Sequence, residues 1–113
     1  MLPTISDDTM RQMLPTTKSY SILILKAGPK RHHPGIEPIL WEHGRRNFAL
    51  REAGLLSIVC PISDDSDVDG IGIFNASADD VKTLMEEDPA VQAGIFVYEI
   101  HPARSFPGDS LPA

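Results

Sequence analysis

The sequence has 113 residues, of which 42% are hydrophobic and 23% charged. A chain of this length holds one core rather than two, and this balance is typical of a folded globular protein rather than a disordered one. The formal net charge of −6 argues against a nucleic-acid partner, because phosphate backbones are bound by clustered Lys and Arg, and the ten in this chain are scattered.

The cysteine count and the N-terminal residues bear on location. Cys60 is the only cysteine, so no internal disulfide forms and the chain suits a reducing compartment. The opening residues, MLPTISDDTMRQML, place Asp7 and Asp8 where a signal peptide needs basic residues and then a long apolar run. No apolar stretch approaches the roughly 20 residues of a membrane span. We therefore expect a soluble, cytoplasmic protein with no membrane partner.

Both ends of the chain lack the periodicity of regular structure. Residues 1–17 contain Pro3 and Pro15, and residues 105–113 (SFPGDSLPA) are rich in proline and small side chains. Such segments are ordered only where they pack on something else. We expect an N-terminal arm over the first range, a domain over residues 18–104, and a C-terminal tail.

The first strand and the first helix are the clearest elements. Residues 19–27 (SYSILILKA) predict a buried strand that ends before a Gly-Pro pair. A helix begins between residues 34 and 37, because Pro38 is tolerated only in a first turn. The helix runs to about Ala53, since Gly54 supplies a stop signal.

A hairpin and a short helix come next. Residues 55–62 (LLSIVCPI) and 70–76 (GIGIFNA) predict the second and third strands, joined through the acidic turn SDDSDVDG. Ser77 is typical of an N-cap, and two aspartates follow it in the first turn. The second helix covers residues 78–87 and ends at the Asp-Pro pair, because the residue before a proline avoids the α region.

The fourth strand completes the fold prediction. Residues 95–100 (IFVYEI) predict a fourth strand that continues towards Pro102. The order is therefore β-α-β-β-α-β, the order of the ferredoxin-like fold. This α+β fold has a four-stranded antiparallel sheet with two helices on one face. The first and fourth strands are apolar on nearly every residue, and the chain has no third layer to cover the second sheet face. We therefore predict a homodimer that packs sheet against sheet.

The candidate site is built around His43 and Asp88. At about 100° per residue, His43 lies inside an apolar arc of the first helix, seven residues from both Ile36 and Leu50, and so points towards the sheet. Asn47 lies one turn later and points the same way. The topology brings Asp88 to the same end of the sheet. A carboxylate near an imidazole fixes its tautomer and strengthens it as a base.

Two segments resemble a known family. One runs from His43 to Pro61 (HGRRNFALREAGLLSIVCP), and the more specific one runs from Asp88 to Pro102 (DPAVQAGIFVYEIHP). Over residues 19–104 the chain resembles the YciI-like (YCII-related) family. The resemblance implies a dimeric α+β barrel of ferredoxin-like subunits and an active-site His-Asp pair, here His43 and Asp88. One family member of this kind is a dehydrochlorinase of a chlorinated hydroxyhydroquinone.

The first of three hypotheses is an enzyme of the lyase or isomerase type, dehydrochlorinase-like by resemblance. It acts on a small aromatic or enolisable molecule, with His43 as the general base or acid and Asp88 as its orienter. The candidate substrate-binding residues are Trp41, Asn47, Phe48, Cys60 and His33. Cys60 stands where the family has a glycine before the strand-ending proline, and a side chain there changes the shape of the pocket.

Two other hypotheses stay open. A non-catalytic module that binds a small ligand in the same cleft is favoured by the lack of a complete set of nucleophile, base and oxyanion site. A metal site is the third hypothesis, but adjacent histidines rarely face one ion and the spacing matches no established ligand pattern. Its ligands would come from His32, His33, His43, Asp64, Asp65, Asp67, Asp69 and Asp88. We expect no metal and no other cofactor.

Overall fold

The computed structural model describes residues 1–113. The helices are α1 (Asp7–Met13), α2 (Glu37–Glu52), α3 (Ala78–Glu86) and α4 (Pro89–Gln92), and a 3₁₀ turn covers Leu14–Thr16. The strands are β1 (Lys18–Ala27), β2 (Leu56–Pro61), β3 (Val68–Phe74) and β4 (Phe96–Ser105). None of the helices has both the length and the apolar character needed to cross a membrane.

The four strands form one sheet in the order β2-β3-β1-β4. Strand β1 pairs antiparallel with both β3 and β4, and β2 pairs antiparallel with β3. Helix α2 connects β1 to β2, and α3 with α4 connects β3 to β4. This order and these connections define the ferredoxin-like βαββαβ fold, so the prediction of an α+β, ferredoxin-like domain is confirmed.

The core lies between the helices and one face of the sheet. In β1 the buried residues alternate, with Ser21, Leu23 and Leu25 facing the helices, as expected for a strand whose side chains point to opposite faces in turn. Ten hydrophobic residues are buried in this layer: Leu23, Leu25, Leu50, Leu56, Phe74, Val81, Met85, Ala90, Ile95 and Phe96. They join both crossover helices to the sheet, so α2 is held in a fixed position above it.

The N-terminal arm contains a helix that the sequence prediction missed. Ser6 is the N-cap of α1, and its Oγ accepts a hydrogen bond from the Thr9 backbone N–H at 3.1 Å. Asp7 and Asp8 follow in the first turn, where the helix dipole favours negative charge. No residue of α1 is buried. The helix depends on local capping rather than on an apolar period, which is why periodicity did not find it.

Strand β4 is longer than predicted. It was expected to cover residues 95–100 and continue towards Pro102, but it runs on to Ser105, opposite Lys18 of β1. Pro102 lies inside the strand, and this is tolerated because β4 is at the edge of the sheet, where one side of the backbone needs no ladder partner. The predicted tail therefore begins with the last residue of a strand.

The second face of the sheet carries an apolar surface that no helix covers. The register places Ile22 beside Ile73 and Ile24 beside Ile71 in the centre of this surface. We define the open face by the six residues Ile22, Ile24, Ile58, Ile71, Ile73 and Val97. The Lys26–Glu99 ion pair, with Nζ 2.8 Å from Oε1, lies at its rim. At one end Phe106 of the tail lines the same surface depression as Ile58 and Ile73.

Candidate active site

The structure brings together the two residues at the centre of the sequence prediction. Nδ1 of His43 lies 2.8 Å from Oδ2 of Asp88, although the two residues are 45 positions apart in the chain. The side chain of Asp88 is 1% exposed and that of His43 is 14% exposed. The His43 ring also packs at a tilt on the ring of Phe96, with 5.0 Å between the ring centres. The imidazole is thus held at two points.

Asp88 is fixed by the backbone that follows it. It is the N-cap of α4, a short helix that the sequence prediction did not include, and Pro89 occupies the first helical position. Its Oδ1 accepts hydrogen bonds from the backbone N–H of Ala90 at 2.9 Å and of Val91 at 3.2 Å. One carboxylate oxygen therefore serves the cap and leaves the other for His43.

The environment keeps Asp88 ionised. Burial by itself would raise the pKa of the carboxyl, but the hydrogen bond and the charge of His43 and the backbone N–H groups of Val91 and Ala90 outweigh it. The pKa therefore lies below its ordinary value of 3.8. An ionised carboxylate can only accept, so Nδ1 of His43 is the donor in this pair.

The other ring nitrogen of His43 is left as an acceptor. In the neutral imidazole with Nδ1 protonated, Nε2 carries the lone pair. Asn47, one turn along α2, places its Nδ2 3.4 Å from Nε2, too long for a strong hydrogen bond. Asn47 was predicted to share the direction of His43, and the two side chains lie together in the structure. The protein therefore engages Nε2 only weakly.

His43 and Asn47 line a cavity of about 360 Å³ between α2 and the sheet. This volume lies within the range of roughly 300–1,000 Å³ typical of small-molecule pockets. The cavity exists because β3 presents Gly70 and Gly72 on its inner face, where side chains would fill the space. A Cβ on Gly72 would lie 3.1 Å from Cδ1 of Leu56. Ten of the eighteen lining residues are hydrophobic, so the side chain of His43 lines a mainly apolar space.

Sequence reasoning missed a second polar group in the cavity wall. Nε of Arg31 donates to both carboxylate oxygens of Asp69, at 3.2 Å each. The guanidinium carbon also lies 5.7 Å from the centre of the Phe96 ring. Arg31 comes from the loop after β1 and Asp69 from the start of β3. The topology places both at the end of the sheet where His43 lies, but no periodicity gives the direction of a loop side chain.

Arg46 lies against the buried carboxylate of Asp88 rather than in water. Its side chain is 21% exposed, and Nη1 lies 3.9 Å from Oδ2 of Asp88, while Nη2 lies 3.7 Å from Oε2 of Glu87. Arg46 is three residues after His43, so it shares the inner side of α2. It places a guanidinium charge beside the buried carboxylate.

Trp41, Phe48 and His33 do not lie in the cavity with His43. Trp41 is 70% exposed and Phe48 is 68% exposed, and they share a shallow depression on the outer side of α2. The predicted apolar arc was too broad. Trp41 lies two residues before His43, a rotation of about 200° around the helix axis, and Phe48 lies five residues after it, a rotation of about 140°. His33 lies in an exposed loop.

Cys60 has an intermediate position. It contributes to the cavity wall, but the register pairs it with Ile71 of the open face. Because cross-strand partners point to the same side of a sheet, its side chain is directed away from His43. The residues proposed for a metal site are not gathered either: no three His, Cys, Asp or Glu side chains converge in an arrangement that could hold an ion.

No protein-family model and no curated protein matches the sequence. Among solved structures, the chain is similar to 5-chloro-2-hydroxyhydroquinone dehydrochlorinase from Burkholderia phenoliruptrix AC1100, in a complex with 2,5-dihydroxybenzoquinone. The identity is 24% and the TM-score is 0.47, over 72% of this chain and 90% of that chain. The ferredoxin-like assignment comes from the strand order and connections of this chain and does not depend on that likeness.

Proposed function

We propose that this protein is a YciI-like enzyme of the lyase or isomerase type that transfers a proton to or from a small, mainly apolar molecule. His43 is the general base, and Asp88 orients it. The observation that carries the proposal is the contact of 2.8 Å between Nδ1 of His43 and the buried Oδ2 of Asp88. That contact leaves the lone pair of Nε2 for a ligand in the cavity.

The chemistry follows from this arrangement. Nε2 of His43 takes a proton from an acidic C–H of the bound molecule, and the electron pair of that bond moves into the adjacent carbon skeleton. In an isomerase the imidazolium returns the proton at another carbon. In a lyase the electron pair forms a carbon–carbon double bond, and a leaving group such as chloride departs with its own bonding electrons. Both routes need only a base of ordinary strength in a fixed position.

Asp88 stabilises the state in which His43 is charged. When Nε2 accepts a proton, the imidazolium faces an ionised carboxylate at hydrogen-bond distance, and the charge pair forms where little water can screen it. Asp88 cannot turn away, because Oδ1 is bound by the backbone of α4. The carboxylate is a positioning group and does not itself touch the ligand.

The test uses a panel of small chlorinated phenols, hydroxyquinones and enolisable ketones in D₂O. Mass spectrometry detects deuterium uptake at carbon or loss of the leaving group. We expect His43→Gln to lower the rate on any converted compound by roughly 10²–10⁴-fold, the usual contribution of a general base. His33→Gln, an exposed histidine of the loop after β1, is the matched control and keeps the full rate.

Full turnover by the His43→Gln variant would remove His43 from the reaction. A second result points to the alternative function, a non-catalytic binding module: a compound that raises the unfolding temperature of the protein and is recovered without exchange or loss of any atom. The mainly apolar wall of the cavity would suit such a ligand equally well.

A further inference from the structure

We infer that Arg31 is an anion-binding residue of the cavity, and that the cavity takes small organic anions with negative charge on oxygen, either a carboxylate or a phenolate attached to an apolar ring. This inference rests on the proposed function, since it concerns the ligand of the same cavity. It adds a substrate class that His43 and Asp88 do not define.

Only one of the three guanidinium nitrogens of Arg31 donates a hydrogen bond within the protein. Only Nε has a protein acceptor, the carboxylate of Asp69, and no protein oxygen accepts from Nη1 or Nη2. The side chain is 28% exposed and lines the cavity. An Arg held through Nε alone presents the remaining N–H groups as a planar fork, the geometry that binds a carboxylate or another oxyanion in a bidentate manner.

The position of the fork is fixed by two contacts. Asp69 holds the Nε side, and the guanidinium lies over the ring of Phe96, 5.7 Å from its centre. The same ring supports His43, with 5.0 Å between ring centres. Phe96 therefore sets the spacing between the imidazole and the guanidinium, and both groups line one cavity. We therefore place the anionic group of the ligand at Arg31 and its acidic C–H at His43.

The charges in the cavity are consistent with a monoanion. Asp69 is 22% exposed and is the lining carboxylate that binds Arg31. It offsets part of the guanidinium charge but leaves Nη1 and Nη2 without an acceptor. Asp88 is kept behind His43 by its bond to Nδ1 and does not line the cavity. An anion bound to Nη1 and Nη2 gains charge-assisted hydrogen bonds, and its apolar ring contacts the hydrophobic wall. A neutral ligand of the same shape gains only the second interaction.

The experiment measures binding by isothermal titration, so it is independent of turnover. The probes are sodium benzoate, sodium 4-nitrophenolate and the neutral isostere benzamide. We expect the native protein to bind benzoate at least tenfold more tightly than benzamide, and Arg31→Met to lose that preference while its affinity for benzamide stays the same. Arg45→Met removes an exposed arginine from the outer side of α2 and leaves both affinities unchanged. The nitrophenolate titration shows whether phenolates share the site.

A second variant guards against loss of folding in Arg31→Met. Asp69→Asn keeps the size of the side chain and removes the competing negative charge, so we expect benzoate to bind several-fold more tightly than to the native protein. Equal affinities for benzoate and benzamide, binding of benzoate that survives in Arg31→Met, or no gain in Asp69→Asn each overturn the inference. None of these results affects the proton-transfer proposal, which depends on the rate of the His43→Gln variant.

Discussion

At the level of single residues, Asp88 links stability to the proposed chemistry. One oxygen caps α4 and the other receives the proton of Nδ1 of His43. The two oxygens of this one carboxylate thus bind different elements, α4 and α2. A substitution that keeps the cap of α4 but removes the hydrogen bond to His43 can therefore separate the effects of the two interactions.

Asp88→Asn and Asp88→Ala are predicted to differ in this way. Asn is as good an N-cap as Asp, whereas Ala costs about 1 kcal/mol of stability. The amide of Asn, however, donates to Nδ1 and so favours the tautomer with the proton on Nε2, which removes the acceptor from the cavity. We expect Asn to keep the cap and so to be more stable than Ala in urea unfolding, but to be as inactive as Ala. Activity retained by Asn would contradict an orienting role for Asp88.

The lowered pKa of Asp88 sets the direction of a pH effect. A carboxyl whose pKa is lower in the folded protein stabilises the fold above its ordinary value of 3.8 and loses that contribution as the pH falls through the lower folded value. The side chains of Arg46 and His43 face it. The stability gap between the native protein and Asp88→Asn, from urea unfolding across acid pH, should therefore shrink as the pH drops below that ordinary value.

At the level of elements, the loop after β1 depends on a close backbone contact. The N–H of Gly28 donates to the carbonyl of Ile95 at 2.7 Å, which joins the end of β1 to the start of β4. A Cβ at residue 28 would lie 2.6 Å from the carbonyl oxygen of Gly94 and 3.0 Å from the backbone of Ile95. Arg31 lies three residues later, so this contact also positions the cavity wall.

Gly28→Ala is predicted to destabilise the fold by roughly 1–3 kcal/mol, because backbone rather than a flexible side chain must move. Gly44→Ala is the matched control: it lies inside α2, and a Cβ there meets nothing within 4 Å. We expect that control to stabilise the protein by about 0.5–1 kcal/mol through helix propensity. Urea unfolding of both variants measures the difference, and equal effects would show that the contact is not tight.

At the level of the whole molecule, the open face is the feature that one chain leaves incomplete. Its isoleucines belong to the central strands β1 and β3, and a contiguous apolar surface of this kind is typical of an interface. The radius of gyration of 16.7 Å exceeds the value of about 13 Å expected for a compact chain near this length, in keeping with an arm that has no buried residue. We propose that a second copy covers the open face.

Ile24→Glu is predicted to abolish this homodimer, because it places a charge in the centre of the buried surface. Ala49→Glu makes the same change in charge at an exposed position of α2 and should leave assembly intact. Sedimentation equilibrium gives the masses, and circular dichroism checks that both variants fold. A native protein that sediments as a monomer at micromolar concentration would contradict the proposal.

Much of the fold, and the direction of two residues of the candidate site, could be predicted from local sequence patterns. The alternation of β1, the Ser77 cap and the Asp-Pro stop define elements through interactions within a few residues, so the order β-α-β-β-α-β and the sheet follow from the sequence. The helical period also gave the direction of His43 and Asn47, because seven-residue spacing from buried positions leaves little freedom around the helix axis.

Only the tertiary structure determined the cavity, the contact of Arg31 and the orientation of the other side chains of α2. The cavity exists where Gly70 and Gly72 face α2, and the fork of Arg31 is held by Asp69, 38 residues away in the chain. Trp41 and Phe48, apolar as they are, lie on the outer side of α2, and Arg46 lies inside. The physical reason is that a loop side chain has no period to give its direction, and a charge is buried only where a distant partner, here Asp88, offsets the cost of removing it from water.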